Sequence, residues 1–176
     1  METSDRASKT HMTKDSSPLS NFQAVLQKQG LKAGLVFLNE RVPHRFSSIY
    51  RLGHESLRRL AFVDKLGSSD PTLAEIPFKD SFCERAIQEG HFVVTDSATD
   101  ERMQGRPNPA GLASYVGLPL AAAPGELFGT FCHYDVCSRP ISDDEFLFLE
   151  QAAKVLHAYV GQTSNGAGFE TPPAQT

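Results

Sequence analysis

The strongest constraint on this chain is a set of extended apolar runs arranged in pairs, with amphipathic helical stripes on either side. Residues 45–52 (RFSSIYRL) and 57–65 (LRRLAFVDK) read as strands separated only by Gly53-His54-Glu55-Ser56. Such a break predicts a hairpin. Residues 115–121 and 127–135 form a second pair around Pro124-Gly125, and a short apolar run, 92–95, lies between the two pairs. Hairpins bracketed by helices predict an α+β fold with an antiparallel sheet.

The helices have their own signals. Ser20 is placed to cap a first helix carrying Phe22, Val25 and Leu26, with Gly30 as its stop. Leu31, Leu35, Leu38 and Val42 recur at spacings of four, three and four, a second helical stripe ended by Pro43. Asp80 is the expected cap of a helix over 81–89, which puts Phe82, Cys83, Ala86 and Ile87 on one face before Gly90. Ser142-Asp-Asp-Glu145 reads as a capping box, in which Ser and Glu side chains each take a free amide donor. The helix behind it carries Phe146, Leu149, Ala153, Leu156 and Val160.

Two long connections remain. Residues 66–78 contain Gly67, Pro71 and Pro77 and read as a loop. Residues 96–111 (DSATDERMQGRPNPAG) read as a second, with one helical turn near 100–103. A connection this long inside a compact domain is usually functional.

Composition enters mainly to exclude. Seventeen Lys and Arg against 21 Asp and Glu leave a net charge of −4, which argues against a nucleic-acid partner. Three cysteines do not make a disulfide framework. No run approaches the roughly 18 apolar residues of a membrane span, and the first residues lack the apolar core of a secretory signal. The expected compartment is the cytoplasm. Residues 1–18 and 161–176 are too polar and too rich in Gly, Thr, Ser and Pro to pack, and are expected to be disordered tails, with Phe169 alone able to dock back. Residues 19–160 are expected to form one domain, large enough to need neither metal nor disulfide.

Several pieces, taken in order, resemble the GAF family of small-molecule sensor domains. They are Asp80-Ser-Phe-Cys83 opening a helix, Val94-Thr-Asp96 with Asp100 and Arg102, Asn108-Pro109, Ser114-Tyr-Val-Gly-Leu-Pro-Leu120, Gly129-Thr-Phe-Cys132, Asp135 and Arg139-Pro140. Upstream, Leu38-Asn39-Glu40-Arg41 and Ile49-Tyr50-Arg51 look like the opening of bacterial single-domain members. The resemblance implies a GAF/PAS-like antiparallel sheet of five to six strands. Its N- and C-terminal helices would share one face, and a pocket roofed by the 96–111 loop would occupy the other. It further implies a non-catalytic module that binds an unidentified small molecule. Such a module would signal through a homodimer of its first and last helices or through a separate partner, since no effector segment is recognisable.

Strand alternation and this resemblance together select the candidate ligand contacts. Tyr115, Cys132 and Tyr134 are expected to look toward the pocket, with Gly117 leaving space beside them. Phe82 and Cys83 come from the helix, and Asp96, Arg102, Arg106 and Asn108 from the loop. Either arginine could clamp a carboxylate or phosphate, or Asp96, Asp100 and Arg102 could pair internally and fix the loop. The opposing possibility for the strand residues is that they fill the core themselves. No cofactor is assigned. Cys132, His133 and Cys137 make a poor zinc set, because neighbours on a strand point opposite ways.

Some GAF proteins are free methionine-R-sulfoxide reductases, and Cys83 sits where such an enzyme has a resolving thiol. The segment from Asp96 to Ala113 has no cysteine to act as nucleophile, and the positions acidic in such enzymes read here as Tyr115 and Cys132. A thiol redox protein with a reversible Cys132–Cys137 disulfide is a further possibility.

Overall fold

The computed structural model describes residues 16–122 and 126–166. The expected tails, the docking role of Phe169 and the Pro124-Gly125 turn lie wholly or largely outside the described residues. The elements are α1 (Pro18–Gln29), α2 (Leu31–Glu40), β1 (Phe46–Leu52), β2 (Ser56–Asp64), β3 (Glu75–Pro77), α3 (Phe82–Glu89), β4 (Phe92–Val94), β5 (Ser114–Ala121), β6 (Leu127–Asp135) and α4 (Asp143–Gly166). A 3₁₀ turn covers Glu101–Met103. No described helix is long and apolar enough to cross a membrane.

The strands form one antiparallel sheet in the order β3-β2-β1-β6-β5-β4. Both expected hairpins are present, and β1 and β6 join them at the centre, with Phe46 opposite Tyr134 and Arg51 opposite Gly129. The strand β3 was not expected. It is three residues long and sits in the 66–78 segment, pairing Ile76 with Leu57 at the sheet edge.

Period-two alternation divides the sheet into two buried faces. On one, Ile49, Val116, Leu118 and Phe131 pack with Phe22 and Leu26 of α1, Leu35 and Leu38 of α2, and Leu149 and Leu156 of α4. On the other, Tyr50, Leu57, Phe92, Tyr115, Cys132 and Tyr134 pack with Cys83 and Ala86 of α3. The helices therefore cover one face and leave α3 and two loops to cover the other.

Local details correct several expected caps. Ser17, not Ser20, caps α1: its hydroxyl accepts from the Ser20 amide at 3.2 Å, which leaves Pro18 at the first helical position where its missing N–H costs nothing. Gly30, at φ 87°, ends α1 as expected and starts α2. The helix α2 stops at Glu40, so Val42 is buried from an irregular segment rather than from the helix. Ser81, not Asp80, caps α3, accepting from the Glu84 amide at 3.0 Å. Asp80 instead takes a left-handed backbone, φ 63°, and its amide donates to Glu84 Oε2 at 2.7 Å.

Only half of the expected Ser142–Glu145 capping box forms. Ser142 Oγ accepts from the Glu145 amide at 3.2 Å, but the Glu145 carboxylate turns to Arg41, which holds it through two 2.8 Å hydrogen bonds. The guanidinium of Arg41 also lies 3.9 Å from the Phe148 ring centroid. The end of α2 is thereby tied to the first turn of α4.

A polar cluster is buried within the helical side of the sheet. Asn39 Nδ2 donates to Ser47 Oγ at 2.7 Å, and Ser47 Oγ lies 2.5 Å from His133 Nδ1. The rings of His44 and His133 stack 6.2 Å apart, and both histidines are fully buried. Asp135, at the end of β6, accepts from the Arg45 and Cys137 amides and from Arg139 Nε, each at 3.0 Å.

Candidate functional site

The face of the sheet away from α1, α2 and α4 carries a cavity of about 290 Å³. Tyr50, Tyr115, Cys132 and Tyr134, from β1, β5 and β6, form its floor. Leu73, Ile76 and Pro77 around β3 make one wall, and Pro107, Ala110 and Leu112 make the opposite one. Phe82 and Cys83 close one end from the start of α3, and Lys79 and Asp80 also line the space. Both long connections thus serve the same cavity, one from each side.

The polar groups of the floor are already partnered. Tyr50 Oη donates to the Leu73 carbonyl at 2.8 Å, and Tyr134 Oη lies 2.8 Å from Ser48 Oγ. Tyr115 Oη donates to Cys83 Sγ at 3.3 Å. The Asn108 side chain both donates to the Leu112 carbonyl at 2.9 Å and accepts from the Leu112 amide at 3.0 Å. Burial pushes the Tyr134 phenol up to about 12 and raises the Tyr50 and Tyr115 phenols well above the ordinary range, so all three stay neutral. The interior offers a ligand aromatic and aliphatic surface, with charge available only from Lys79 and Asp80, both exposed.

Six of the nine candidate contacts meet here: Phe82, Cys83, Asn108, Tyr115, Cys132 and Tyr134. Asp96, Arg102 and Arg106 do not line the cavity. The Asp96 carboxylate accepts from the Ala98 amide at 3.0 Å. Arg102 donates to both oxygens of Asp100, at 2.9 and 2.5 Å, and to the Val93 carbonyl at 2.6 Å. The internal Asp100–Arg102 pair fixes the loop against β4, and Asp96 is not part of it. Arg106 borders only a small dent beside Phe82 and Phe92.

The 96–111 connection is consequently a built structure rather than a free flap. Ser97 is clipped to the strand side by its amide, 2.7 Å from the Ala113 carbonyl, and by its hydroxyl, 2.8 Å from the Leu112 carbonyl. Only its last part reaches the cavity, between Gly105 and Gly111, whose φ values of 70° and 63° suit glycine.

Gly117 does not provide ligand space. The ring of Tyr115 occupies the room above it, and a Cβ at residue 117 would overlap that ring. The missing contacts of the sequence reading were Tyr50 and the wall around β3. Alternation of Ser48 and Tyr50 on β1 was sufficient to find the former. The latter had no periodic signal, being three residues among prolines and polar residues.

The thiols also differ from expectation. Cys132 is buried and Cys137 is exposed past the end of β6, so the two do not face each other. Cys132 instead directs its thiol to the Ser48 carbonyl, 3.8 Å away, and lines the cavity with Cys83. The polar neighbours of the cavity floor, Cys132 first and Tyr115 among them, lower the Cys83 thiol from its ordinary value, while burial drives Cys132 well above it.

No protein-family model and no curated protein sequence matches this chain. Solved structures do. The GAF domain of a phosphoenolpyruvate-protein phosphotransferase from Acinetobacter superposes with a TM-score of 0.69 at 12% identity, covering 87% of this chain and 96% of that one. A type II free methionine-R-sulfoxide reductase from Thermoplasma acidophilum superposes with a TM-score of 0.59 at 18% identity, covering 83% and 96%. The chromophore-binding domain of a bacteriophytochrome from R. palustris gives 0.65 at 12%, covering 84% and 60%. With its six antiparallel strands, helices on one face and a cavity on the other, the chain has the GAF fold.

Proposed function

We propose that this chain is a non-catalytic small-molecule-binding module. Its ligand is compact, largely apolar and uncharged in its buried part. The observation that carries this reading is the 290 Å³ cavity whose floor hydroxyls are all engaged within the protein. A ligand bearing a buried charge would find no free partner there, and an unpaired buried charge is costly. An aromatic or aliphatic ligand gains contact with Tyr50, Tyr115, Phe82 and Leu112. Sensor use follows from the architecture: the ligand presses on β1, β5 and β6, whose opposite faces carry α1, α2 and α4. A second copy, or a separate partner, would read the helical face.

A second reading, a thiol-dependent reductase of free methionine-R-sulfoxide, is favoured by one observation: Cys83, with its lowered thiol, lines the cavity alongside Lys79 and Asp80. Those charges could meet the two ends of an amino acid.

One experiment separates the two. Thermal unfolding is followed with indole as an apolar probe and with free methionine-R-sulfoxide, while sulfoxide turnover is assayed with dithiothreitol. The binding reading expects stabilisation by indole, about 2.7 kcal/mol at a hundredfold excess over Kd, no turnover, and loss of the indole effect in Ala110→Trp. Turnover that disappears in Cys83→Ser establishes the reductase instead.

A further inference from the structure

We propose that residues 69–74, between β2 and β3, are the door through which a ligand enters and leaves the cavity, and that the hydrogen bond from Tyr50 Oη to the Leu73 carbonyl is its latch. The inference rests on the cavity reading above and adds to it a route and the control of that route.

A route is needed because the floor is sealed. Tyr50 and Tyr115 are 2% exposed and Cys132 is 1% exposed, so a ligand reaches them only when a wall moves aside. The two walls are held very differently. The wall of Pro107, Ala110 and Leu112 is bound from several directions. Asn108 grips both backbone groups of Leu112, Ser97 Oγ donates to the same Leu112 carbonyl, and the Ala113 amide, next in the chain, donates to the Asp135 carbonyl at 2.9 Å. Arg102 adds its pair with Asp100 and its bond to the Val93 carbonyl. Moving this wall would break these bonds together.

The opposite wall is lightly held. Residues 69–72 and Ala74 are exposed, and Leu73 alone is half-buried, lining the cavity. Among the described residues, three hydrogen bonds tie this stretch to the sheet. Tyr50 Oη donates to the Leu73 carbonyl at 2.8 Å, the Arg59 amide donates to the Ala74 carbonyl at 2.8 Å, and Arg59 Nη2 donates to the Asp70 carbonyl. Other bonds are internal to the stretch: the Thr72 amide donates to Asp70 Oδ1 at 2.8 Å, and the Ala74 amide to the Pro71 carbonyl at 2.9 Å. The turn therefore keeps its shape as it swings. It bends at Ser69, because Ser68 stays bonded to the Asp64 carboxylate. The carbonyls it releases meet water, so opening strands no backbone group. Segments with few apolar contacts and exposed hydrogen bonds are the ones that open locally, and the opening of such lids commonly sets exchange rates. Tyr50 joins door to site, since its ring lies in the floor while its hydroxyl holds the wall.

The test follows indole exchange with the full chain by stopped-flow fluorescence. The chain contains no tryptophan, so the indole signal stands apart from the protein's. Arg59→Met removes the tie to Asp70, keeps an unbranched side chain beside the Phe62 ring, and changes no residue that lines the cavity. It should raise the association and dissociation rates together by about fivefold, the worth of one hydrogen bond, and change Kd by less than about twofold. Tyr50→Phe should raise the association rate by a similar factor. In both variants the Arg59 amide, which bonds the Ala74 carbonyl, should exchange with solvent faster. Arg102→Met, on the opposite side, should leave both rates at their wild-type values. Unchanged rates in Arg59→Met, or a rise in Arg102→Met instead, overturn the door, and an unchanged association rate in Tyr50→Phe overturns the latch. Absence of indole binding to the wild-type chain overturns the cavity reading itself, and the door falls with it.

Discussion

Tyr115 lies over Gly117, two residues further along β5, so closely that a Cβ at residue 117 would stand 2.5 Å from Tyr115 Cζ. The same ring lines the cavity and delivers its hydroxyl to Cys83. Gly117 is therefore the seat of Tyr115, and together they set the height of the cavity floor.

Gly117→Ala is expected to displace the Tyr115 ring. The loss should be about 1–3 kcal/mol, the range for overpacking a filled core. Urea unfolding of Gly117→Ala, Tyr115→Ala and the double variant measures it. The double variant should lose less than the sum of the singles, because removing the ring removes the clash.

The buried histidines predict acid sensitivity. Burial holds His44 neutral, with its pKa lowered from 6.5 to about 4, and holds His133 well below the usual imidazole range. The charges around His44 are Asp135, Lys65 and Arg139, and those near His133 are His44 and Lys65. The unfolded chain protonates first as pH falls, so stability is full above about 6.5 and is lost between that value and about 4. At roughly 1.4 kcal/mol per unit, His44 alone accounts for about 3 kcal/mol across the window. Urea midpoints against pH should show this slope, and His44→Leu should flatten it.

A second acid-sensitive link ties β1 to the end of β2. Arg45 grips both oxygens of the buried Asp64 carboxylate at 2.8 Å, and the Leu66 amide adds a third hydrogen bond at 2.9 Å. These hydrogen bonds, led by Arg45, hold Asp64 far below the usual carboxylate range. A depressed folded value means the stabilisation is present above the unfolded value and fades as pH falls below it. Asp64→Asn should cost about 2 kcal/mol at neutral pH and should weaken the loss seen in the most acid samples.

Glu145→Gln breaks the Arg41 clasp between α2 and α4. The pair is partly exposed, with 28% and 18% of the side-chain surfaces accessible, so the expected cost is modest, about 1 kcal/mol. Hydrogen exchange should quicken in the first turn of α4 and leave β1 and β6 unaltered.

The sheet and its two faces were legible because alternation is a property of the residues themselves: Phe131 and Cys132 are neighbours and end in different cores. The caps were less legible. Ser17, Ser20, Asp80 and Ser81 are all chemically able to cap, and the choice among them depends on where the helix begins in space. The strand β3 pairs through backbone groups with Ser56, Leu57 and Arg58, which leaves no pattern in Glu75-Ile76-Pro77. Site residues divided along the same line. Strand and helix positions such as Tyr115, Tyr134 and Phe82 reached the cavity as expected. Arg102 did not, because its partner Asp100 is two residues away and takes both guanidinium contacts. Charge in a loop shows what a side chain can bind, while only the fold shows that it is already bound.

The most direct test of the cavity as a binding site is a methyl-resolved NMR titration of the reduced protein with indole. Saturable shifts are expected at Leu73, Ile76, Ala110 and Leu112 on the cavity walls, with Leu35 and Leu149 under the helices moving little. Absence of saturable shifts at the cavity methyls, or shifts confined to the helical side, would contradict the proposed binding function.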